Sequence, residues 1–303
     1  MDIIKYCKAL SDETRVRLLN VLLQYELNVG EIVQVMDMGQ SRISRHLKIL
    51  SESGLVEVRR EGLWAFYRVG DDGPGRDFLD GVAALMTDEP DLKRDRNRAE
   101  KVIRERTAET RQFFDDIAPE WGRMTAEILG RLDLPSEIGK RLNGCACAAD
   151  IGCGTGDVLD VLARSAETVI GVDNSPRMLE LAEERFSADA SMSLRIGEMT
   201  HLPLRDWEAD CVVISLALHH LARPLDAVRE AARVLKIGGR LLVAEFERHE
   251  VEVMRSDYGD RRLGIAREKM EHWLEQCRFN LLDVTEFPVN KGLVVVLYEA
   301  EKK

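Results

Sequence analysis

Residues 149–157 read ADIGCGTGD, and how this stretch is understood decides the fold. An apolar, strand-like run at 146–151 leads into it and helical periodicity follows, which is the setting a nucleotide-binding glycine turn requires. Gly152 allows a tight turn, and Gly154 and Gly156 let a ligand approach the backbone without meeting a Cβ. The spacing is G-x-G-x-G rather than the G-x-G-x-x-G of the dinucleotide fingerprint, and Asp150 precedes it. Working outward, further strand-like runs lie at 168–173, 192–196, 210–215, 240–246, 281–287 and 293–299, with helical stretches between the first six. This pattern predicts an α/β domain, a Rossmann-like doubly wound sheet of seven strands, mostly parallel, with the last two joined by a short turn at 288–292.

The first 87 residues have a different grammar. Apolar positions at helical spacing predict helices over 14–25, over 30–37 (ending at Gly39) and over 41–53, the last closed by Gly54. Alternation then predicts two strands, 55–59 and 63–69, about a turn at 60–62. Three helices and a β-hairpin make a winged helix-turn-helix. Its third helix offers Gln40, Ser41, Arg42, Ser44, Arg45 and Lys48 off the apolar face, and Arg59 and Arg60 sit toward the hairpin tip. Arg and Gln can each grip a base edge through two hydrogen bonds in the major groove, and arginines on a wing suit phosphate or the minor groove. A breaker-rich loop at 70–76 and an apolar helix at 78–86 follow. Residues 88–111 are almost wholly charged and predict a solvated helical linker, so the expected domains are 1–87, 88–111 and 112–303.

Net charge is −11, which alone would argue against nucleic acid, but its distribution matters more. Residues 41–68 carry six basic and three acidic side chains, so the acidic excess lies elsewhere. The six cysteines (7, 145, 147, 153, 211, 277) have no disulfide-framework spacing, no apolar run approaches a membrane span, and MDIIKYCKAL lacks the apolar core of a signal peptide. A cytoplasmic protein is expected.

Two resemblances sharpen these expectations. ALSDETRVRLLNVLL followed by SRISRHLKILSESGLVEVRREGLWAFYRV resembles the ArsR-type winged-helix repressors over nearly all of residues 1–86. The resemblance implies a homodimer joined through helices at roughly 2–10 and 76–86, reading a near-palindromic operator in double-stranded DNA. Metal-sensing members carry Cys-x-Cys before the recognition helix; here that place reads ELNVGE (26–31), with no thiolate for a soft metal, so no metal is expected. ADIGCGTGD, VIGVDNSPRML, GEM at 197–199, ADCVVISLALHHL and VLKIGGRLLVAEF, in that order, resemble the class I S-adenosylmethionine (SAM) methyltransferases over roughly 110–285. That resemblance places cofactor contacts on Asp150, Gly152, Cys153, Gly154, Gly156, Asp173, Asn174, Met178, Glu198, Met199 and Ser215. In it Asp173 takes the ribose hydroxyls, Glu198 or its neighbours face the adenine amine, and Met199 packs the ring; the ligand is SAM or S-adenosylhomocysteine (SAH). FFDDIAPEW (113–121) resembles the helix that covers the methionine end of SAM, and RSDYGDRRLGI (255–265) lies where such enzymes meet substrate. The whole chain resembles an ArsR-type reader fused to a methyltransferase-like domain.

Whether methyl transfer occurs stays open at this point. His219 and His220 are catalytic candidates, with Glu245, Asp257 and Tyr258 behind them, but a histidine pair after the fourth strand of this fold is also a common structural feature. Cys145 and Cys147 with a third thiol, Cys153 or Cys211, form an arsenic(III)-binding alternative, set against plain packing of buried cysteines. The expected function is a transcriptional regulator whose second domain binds SAM or SAH as effector or cofactor; the alternative is an active methyltransferase on a small-molecule acceptor that carries its own DNA reader.

Overall fold

Helices in the N-terminal part of the chain begin where side chains can cap them. Asp12 accepts from the backbone N–H of Arg15 to start α2 (Glu13–Leu22), after α1 (Asp2–Leu10). Asn28 and Glu31 form a reciprocal capping box that starts α3 (Val29–Met36). That helix stops at Asp37, in the left-handed region at φ 54°, two residues before the expected Gly39, which instead opens α4 (Gln40–Ser53). Gly54, at φ 81°, closes α4 as expected. The computed structural model describes residues 2–61, 64–86, 89–142, 144–187 and 191–303, and divides between Glu109 and Thr110 into two units.

In the first unit, β2 (Glu57–Glu61) and β3 (Trp64–Arg68) form the wing in antiparallel register, Arg59 opposite Phe66. Of the turn expected at 60–62, Arg60 and Glu61 belong to β2 instead, and residue 62, with residue 63 of the expected second strand, lies outside the described residues. A two-residue strand, β1 (Leu27–Asn28), pairs with β3 and makes the sheet three-stranded. Leu18, Leu19, Leu22, Ile32, Ile43, Leu47 and Leu50 are buried together, and α5 (Pro74–Ala83) adds Leu79.

The charged run expected to be solvated is the first part of one helix, α6 (Pro90–Ile117), and it packs on this unit. Leu92, Asp95, Ala99 and Val102 are its buried face. The buried Asp95 carboxylate receives two hydrogen bonds from the Arg17 guanidinium, at 2.7 and 3.0 Å. Asn20 donates to the Leu92 carbonyl at 3.1 Å and accepts from Arg96 at 2.6 Å. Arg106 reaches the Glu26 carbonyl at 3.2 Å and Glu31 at 2.9 Å.

The second unit opens with α7 (Trp121–Leu129) and α8 (Leu134–Gly139). Its seven strands follow as β4 (Cys145–Ile151), β5 (Ala166–Asp173), β6 (Met192–Ile196), β7 (Ala209–Ser215), β8 (Leu235–Phe246), β9 (Phe279–Pro288) and β10 (Val294–Lys302). Between them lie α9 (Leu159–Ala163), α10 (Pro176–Phe186), α11 (Pro224–Val234), α12 (Val253–Tyr258) and α13 (Arg267–Gln276). The spatial order is β6-β5-β4-β7-β8-β10-β9. β4 to β8 run parallel and β10 runs antiparallel to both its neighbours, which is the mostly parallel doubly wound sheet expected. Strand alternation feeds two cores. Val212, Ile214, Leu241 and Val243 face one, with Val228 of α11 and Trp273 of α13; Cys211, Val213, Leu242 and Ala244 face the other, with Leu159 of α9 and Met254 of α12. Order reverses at β4, with β5 on one side and β7 on the other, and such a switch point leaves a crevice at the carboxyl ends of the strands.

Removing one partner of the buried Arg17–Asp95 pair strands the other charge, so Asp95→Ala is expected to cost about 3 kcal/mol. Urea unfolding followed by helix circular dichroism will read it, and the double variant Arg17→Met/Asp95→Leu should recover most of the loss.

Candidate functional site

The glycine turn closes over the switch point through hydrogen bonds to β5. The N–H groups of Gly152 and Cys153 both donate to the Val172 carbonyl, at 2.7 and 3.0 Å, and Gly154 N–H donates to Asp173 Oδ2 at 2.9 Å. Gly152, Gly154 and Gly156 all have positive φ, at 76°, 52° and 86°. A Cβ on Gly152 would lie 2.9 Å from the Ala217 Cβ, beyond the end of β7. One on Gly156 would lie 2.7 Å from the Phe186 ring of α10.

A cavity of about 640 Å³ opens here. Asp150, Gly152, Cys153, Gly154, Asp173, Asn174, Met178, Glu198, Met199 and Ser215 all line it. Gly156 does not: its missing side chain makes room for Phe186 and Leu159 rather than for a ligand. The sequence marks Phe114 and Trp121 only as part of a lid-like segment; both line the cavity, edge-to-face at 5.8 Å. Thr125, Leu129, Leu134, Leu216 and Leu221 also line it and carry no sequence signal beyond helical or strand periodicity. Asp115, next to Phe114, accepts from the Ser175 hydroxyl at 2.6 Å and so ties this end of α6 to the start of α10.

The wall is acidic. Asp150 is buried at the end of β4, its Oδ1 has no hydrogen-bond partner, and burial, helped by Asp173, pushes its pKa up to about 8. Burial also raises Asp173, although backbone N–H groups of Ser175, Gly154 and Asn174 support its charge. Glu198 accepts from the Asn174 amide at 3.3 Å.

Beyond β7, the 3-10 turn Leu218–His220 separates the two histidines by function. His219 lies outside the cavity wall, its Nδ1 2.6 Å from Glu245 Oε1 and its Nε2 3.4 Å from Asp260 Oδ1. Burial works against charge on His219, but the two carboxylates outweigh it and lift the pKa to about 10. His220 lines the cavity and its Nδ1 lies 3.2 Å from the Gly259 carbonyl. Burial first, and the charge on His219 second, push the His220 pKa down to about 3. Its Nε2 is buried with no partner. Among the described residues, His219, His220 and Asp260 are the metal-like constellation, with one donor atom of each within 4.8 Å of the others. Both ring nitrogens of His219 already face carboxylates, however, so an imidazolium fills the place a cation would take. Tyr258 is buried behind this wall and Asp257 accepts from the Ser256 hydroxyl; neither lines the cavity.

Burial pushes the Cys145 and Cys147 thiols up, Cys211 up to about 12 and Cys153 well above its ordinary value. Thiols held protonated are poor partners for arsenic(III), which binds thiolate.

In the first unit, Gln40, Ser41, Arg42, Ser44, Arg45 and Lys48 are exposed along α4, opposite the buried Ile43, Leu47 and Leu50. The wing departs from expectation at one residue. Arg59 is clasped by the buried Glu26 carboxylate at 2.8 and 3.0 Å and lies 4.3 Å over the Phe66 ring, so it braces the wing; Arg60 is the exposed one. No helix among the described residues is long and apolar enough to cross a membrane.

A family model described as the arsR family of bacterial regulatory proteins matches residues 12–58, and one described as a methyltransferase domain matches residues 149–243. An uncharacterized 37.1 kDa protein of transposon TN4556 from Streptomyces fradiae is 36% identical over 128 residues, 41% of this chain and 36% of that protein. The demethylmenaquinone methyltransferase of Lactiplantibacillus plantarum is 37% identical over 145 residues, 44% of this chain and 60% of its own length. This chain therefore spans only 36% to 60% of those two relatives. Among solved structures, the [4+2]-cyclase SpnF superposes with a TM-score of 0.54 at 19% identity, over 63% of this chain and 94% of its own. A methyltransferase-named protein from Bacillus halodurans superposes with a TM-score of 0.50 at 20% identity, over 57% of this chain and 99% of its own. A fold shared with a cyclase does not decide the chemistry. What the two family matches and the two structural units establish together is that this chain joins an ArsR-family helix-turn-helix domain to a Rossmann-like methyltransferase domain.

Proposed function

We propose that the second unit binds SAM or SAH in the cavity at the glycine turn, and that the chain is a DNA-binding transcriptional regulator with that ligand as effector or cofactor. The observation that carries this is the unpartnered, buried Oδ1 of Asp150 in a wall that also holds Asp173 and Glu198. Carboxylates at these three positions suit a ligand bearing an ammonium, ribose hydroxyls and an adenine amine, all of them donors. They repel the pyrophosphate of a dinucleotide, which needs N–H groups and a helix N-terminus free of carboxylates. Asp150 would take the ammonium, Asp173 the ribose and Glu198 the adenine side, with Met178 and Met199 packing the ring. SAM, when bound, supplies an electrophilic methyl group.

DNA is read, on this proposal, by Gln40, Ser41, Arg42, Ser44, Arg45 and Lys48 of α4, with Arg60 on the wing, as a homodimer on a near-palindromic operator in the cytoplasm. Effector control requires that the ligand favour one state of the protein over another. α6 supplies Asp95 to the first unit and Phe114 to the cavity wall of the second, and it is the element through which occupancy would act. A second reading, methyl transfer to a small molecule, is favoured by a specific observation: Thr125 Oγ1 and His220 Nε2 also line the cavity without partners, and the proposed cofactor contacts use neither. The demethylmenaquinone methyltransferase relatives support it.

Asp150 supplies a pH test. Its folded-state pKa of about 8 is above the unfolded value of 3.8, so its contribution to stability is fully present below the unfolded pKa and is lost progressively as pH rises to about 8. Asp150→Asn should raise the thermal midpoint of ligand-free protein relative to wild type by more at pH 8 than at pH 5. Binding a cation there expels the proton, so calorimetric affinity for SAM should rise about tenfold or more from pH 6 to pH 8 in the wild type. In Asp150→Asn it should be weaker and flat. Identical pH profiles in the two proteins would remove the ammonium from Asp150.

Regulation is tested on DNA selected from random duplexes by the full chain. Retention with SAM, with SAH and with neither should differ by at least about fivefold for one ligand, the lower range of ordinary coupling, and Asp173→Ala should abolish the difference. Superimposed curves would leave a methyltransferase with an independent DNA reader.

A further inference from the structure

Three polar atoms in the cavity wall are buried and unpartnered: Asp150 Oδ1, Thr125 Oγ1 and His220 Nε2. The first is taken by the ammonium of the proposed cofactor, and the role inferred for His220 rests on that reading of the cavity. His220 is the most constrained of the other two. A carbonyl can only accept, so the contact with Gly259 O puts the ring proton on Nδ1 and leaves a lone pair on Nε2. Gly259 sits at φ 73°, and a Cβ there would lie 2.5 Å from the Phe113 ring, so only glycine fits beside that ring. Gly264, also at φ 73°, has room for no Cβ because the Glu247 carbonyl would be 2.2 Å away. The Gly259 carbonyl thus orients the imidazole. On its other side His220 is pressed at 4.7 Å against the edge-on Phe114 ring, and beside it His219 is held as an imidazolium by Glu245 and Asp260.

We propose that His220 Nε2 is the hydrogen-bond acceptor for the methyl acceptor, and that it selects a flat, apolar molecule carrying a hydroxyl on the atom to be methylated. A buried lone pair left unsatisfied costs roughly 1–3 kcal/mol, which a hydroxyl relieves and an ether oxygen cannot. Phe114, Trp121, Leu216 and Leu221 supply the apolar surroundings that favour a flat body. Burial, and then the positive charge beside it, keep His220 neutral, so the ring presents an acceptor at every ordinary pH. On transfer, an oxygen lone pair takes the methyl group and the electrons of the S–CH₃ bond stay on sulfur, leaving SAH. The O–H proton passes to His220 Nε2 and then to water. An oxygen that has just gained a methyl cation is acidic enough for so weak a base.

The test is equilibrium binding of 2-naphthol and of 2-methoxynaphthalene to the full chain, with and without saturating SAH, the SAH affinity being measured separately by calorimetry. The wild type should prefer the naphthol by about tenfold, the equivalent of one well-made hydrogen bond. His220→Phe should bring the two within about twofold, and His220→Gln, which keeps an acceptor, should retain part of the preference. SAH affinity should be equal in all three proteins. The ¹⁵N resonance of His220 Nε2 should move with the naphthol and stay still with the ether, a readout that holds even where a variant folds poorly. Equal binding of the two probes by the wild type, no binding of either, or a preference that survives in His220→Phe overturns the proposal. So does stoichiometric Zn²⁺ uptake that depends on His220, which would make the cluster a metal site. Loss of SAH binding in the wild type would instead overturn the cofactor reading, leaving the naphthol comparison without SAH to decide the role of His220.

Discussion

One carbonyl, that of Val172, receives the N–H groups of both Gly152 and Cys153, and the geometry of the second unit's site follows from that pair of bonds. They pin the end of β4 to the end of β5 in the first step of the turn. The chain can follow this path only with positive φ at 152, where a Cβ would also strike Ala217 past the end of β7. Three strand ends are thus gathered at one point, and the next donor along, Gly154 N–H, is aimed at the carboxylate of Asp173. The cavity is the space this turn leaves open at the place where strand order reverses.

Such a site is costly to build. A buried carboxylate without a partner opposes folding, and Asp150 sits beside a second carboxylate that is itself buried. The seven-stranded sheet and its two apolar cores tolerate the cost. A cationic ligand would cancel it, so occupancy and stability are linked through the same oxygen atom. Sites that violate the rules of a well-satisfied interior are where a fold does chemistry, and three such atoms, on Thr125, Asp150 and His220, share the cavity wall.

Much of this was legible in the chain. Glycines that need positive φ, an acid at the end of a buried strand and alternation across two cores leave marks at fixed spacing, so the turn, Asp173 and the parallel sheet could be read directly. What could not be read is what depends on distant partners. The inward face of α6 runs Leu92, Asp95, Ala99, Val102, and a charged residue at its centre hides the apolar period; only Arg17, 78 residues away, makes that burial tolerable. β1 is two residues long and exists because β3 offers it a partner. Gly156 has the spacing of a ligand contact, yet only the position of Phe186 shows that it serves packing. The two histidines are adjacent in sequence, and nothing in that adjacency says that one is ion-paired behind the wall while the other faces the cavity.

The same dependence sorts the arginines of the wing. Arg59 and Arg60 are chemically identical neighbours on β2, where successive side chains point to opposite faces. The face of Arg59 meets Glu26, buried just before β1. Glu26 needs that guanidinium, since an unpaired carboxylate there would be as costly as Asp150, and it has no ligand to relieve it. Arg59 is therefore held within the unit, while Arg60 and the cations of α4 stay exposed. The Glu26 carboxylate thus neutralises one of the two positive charges of β2.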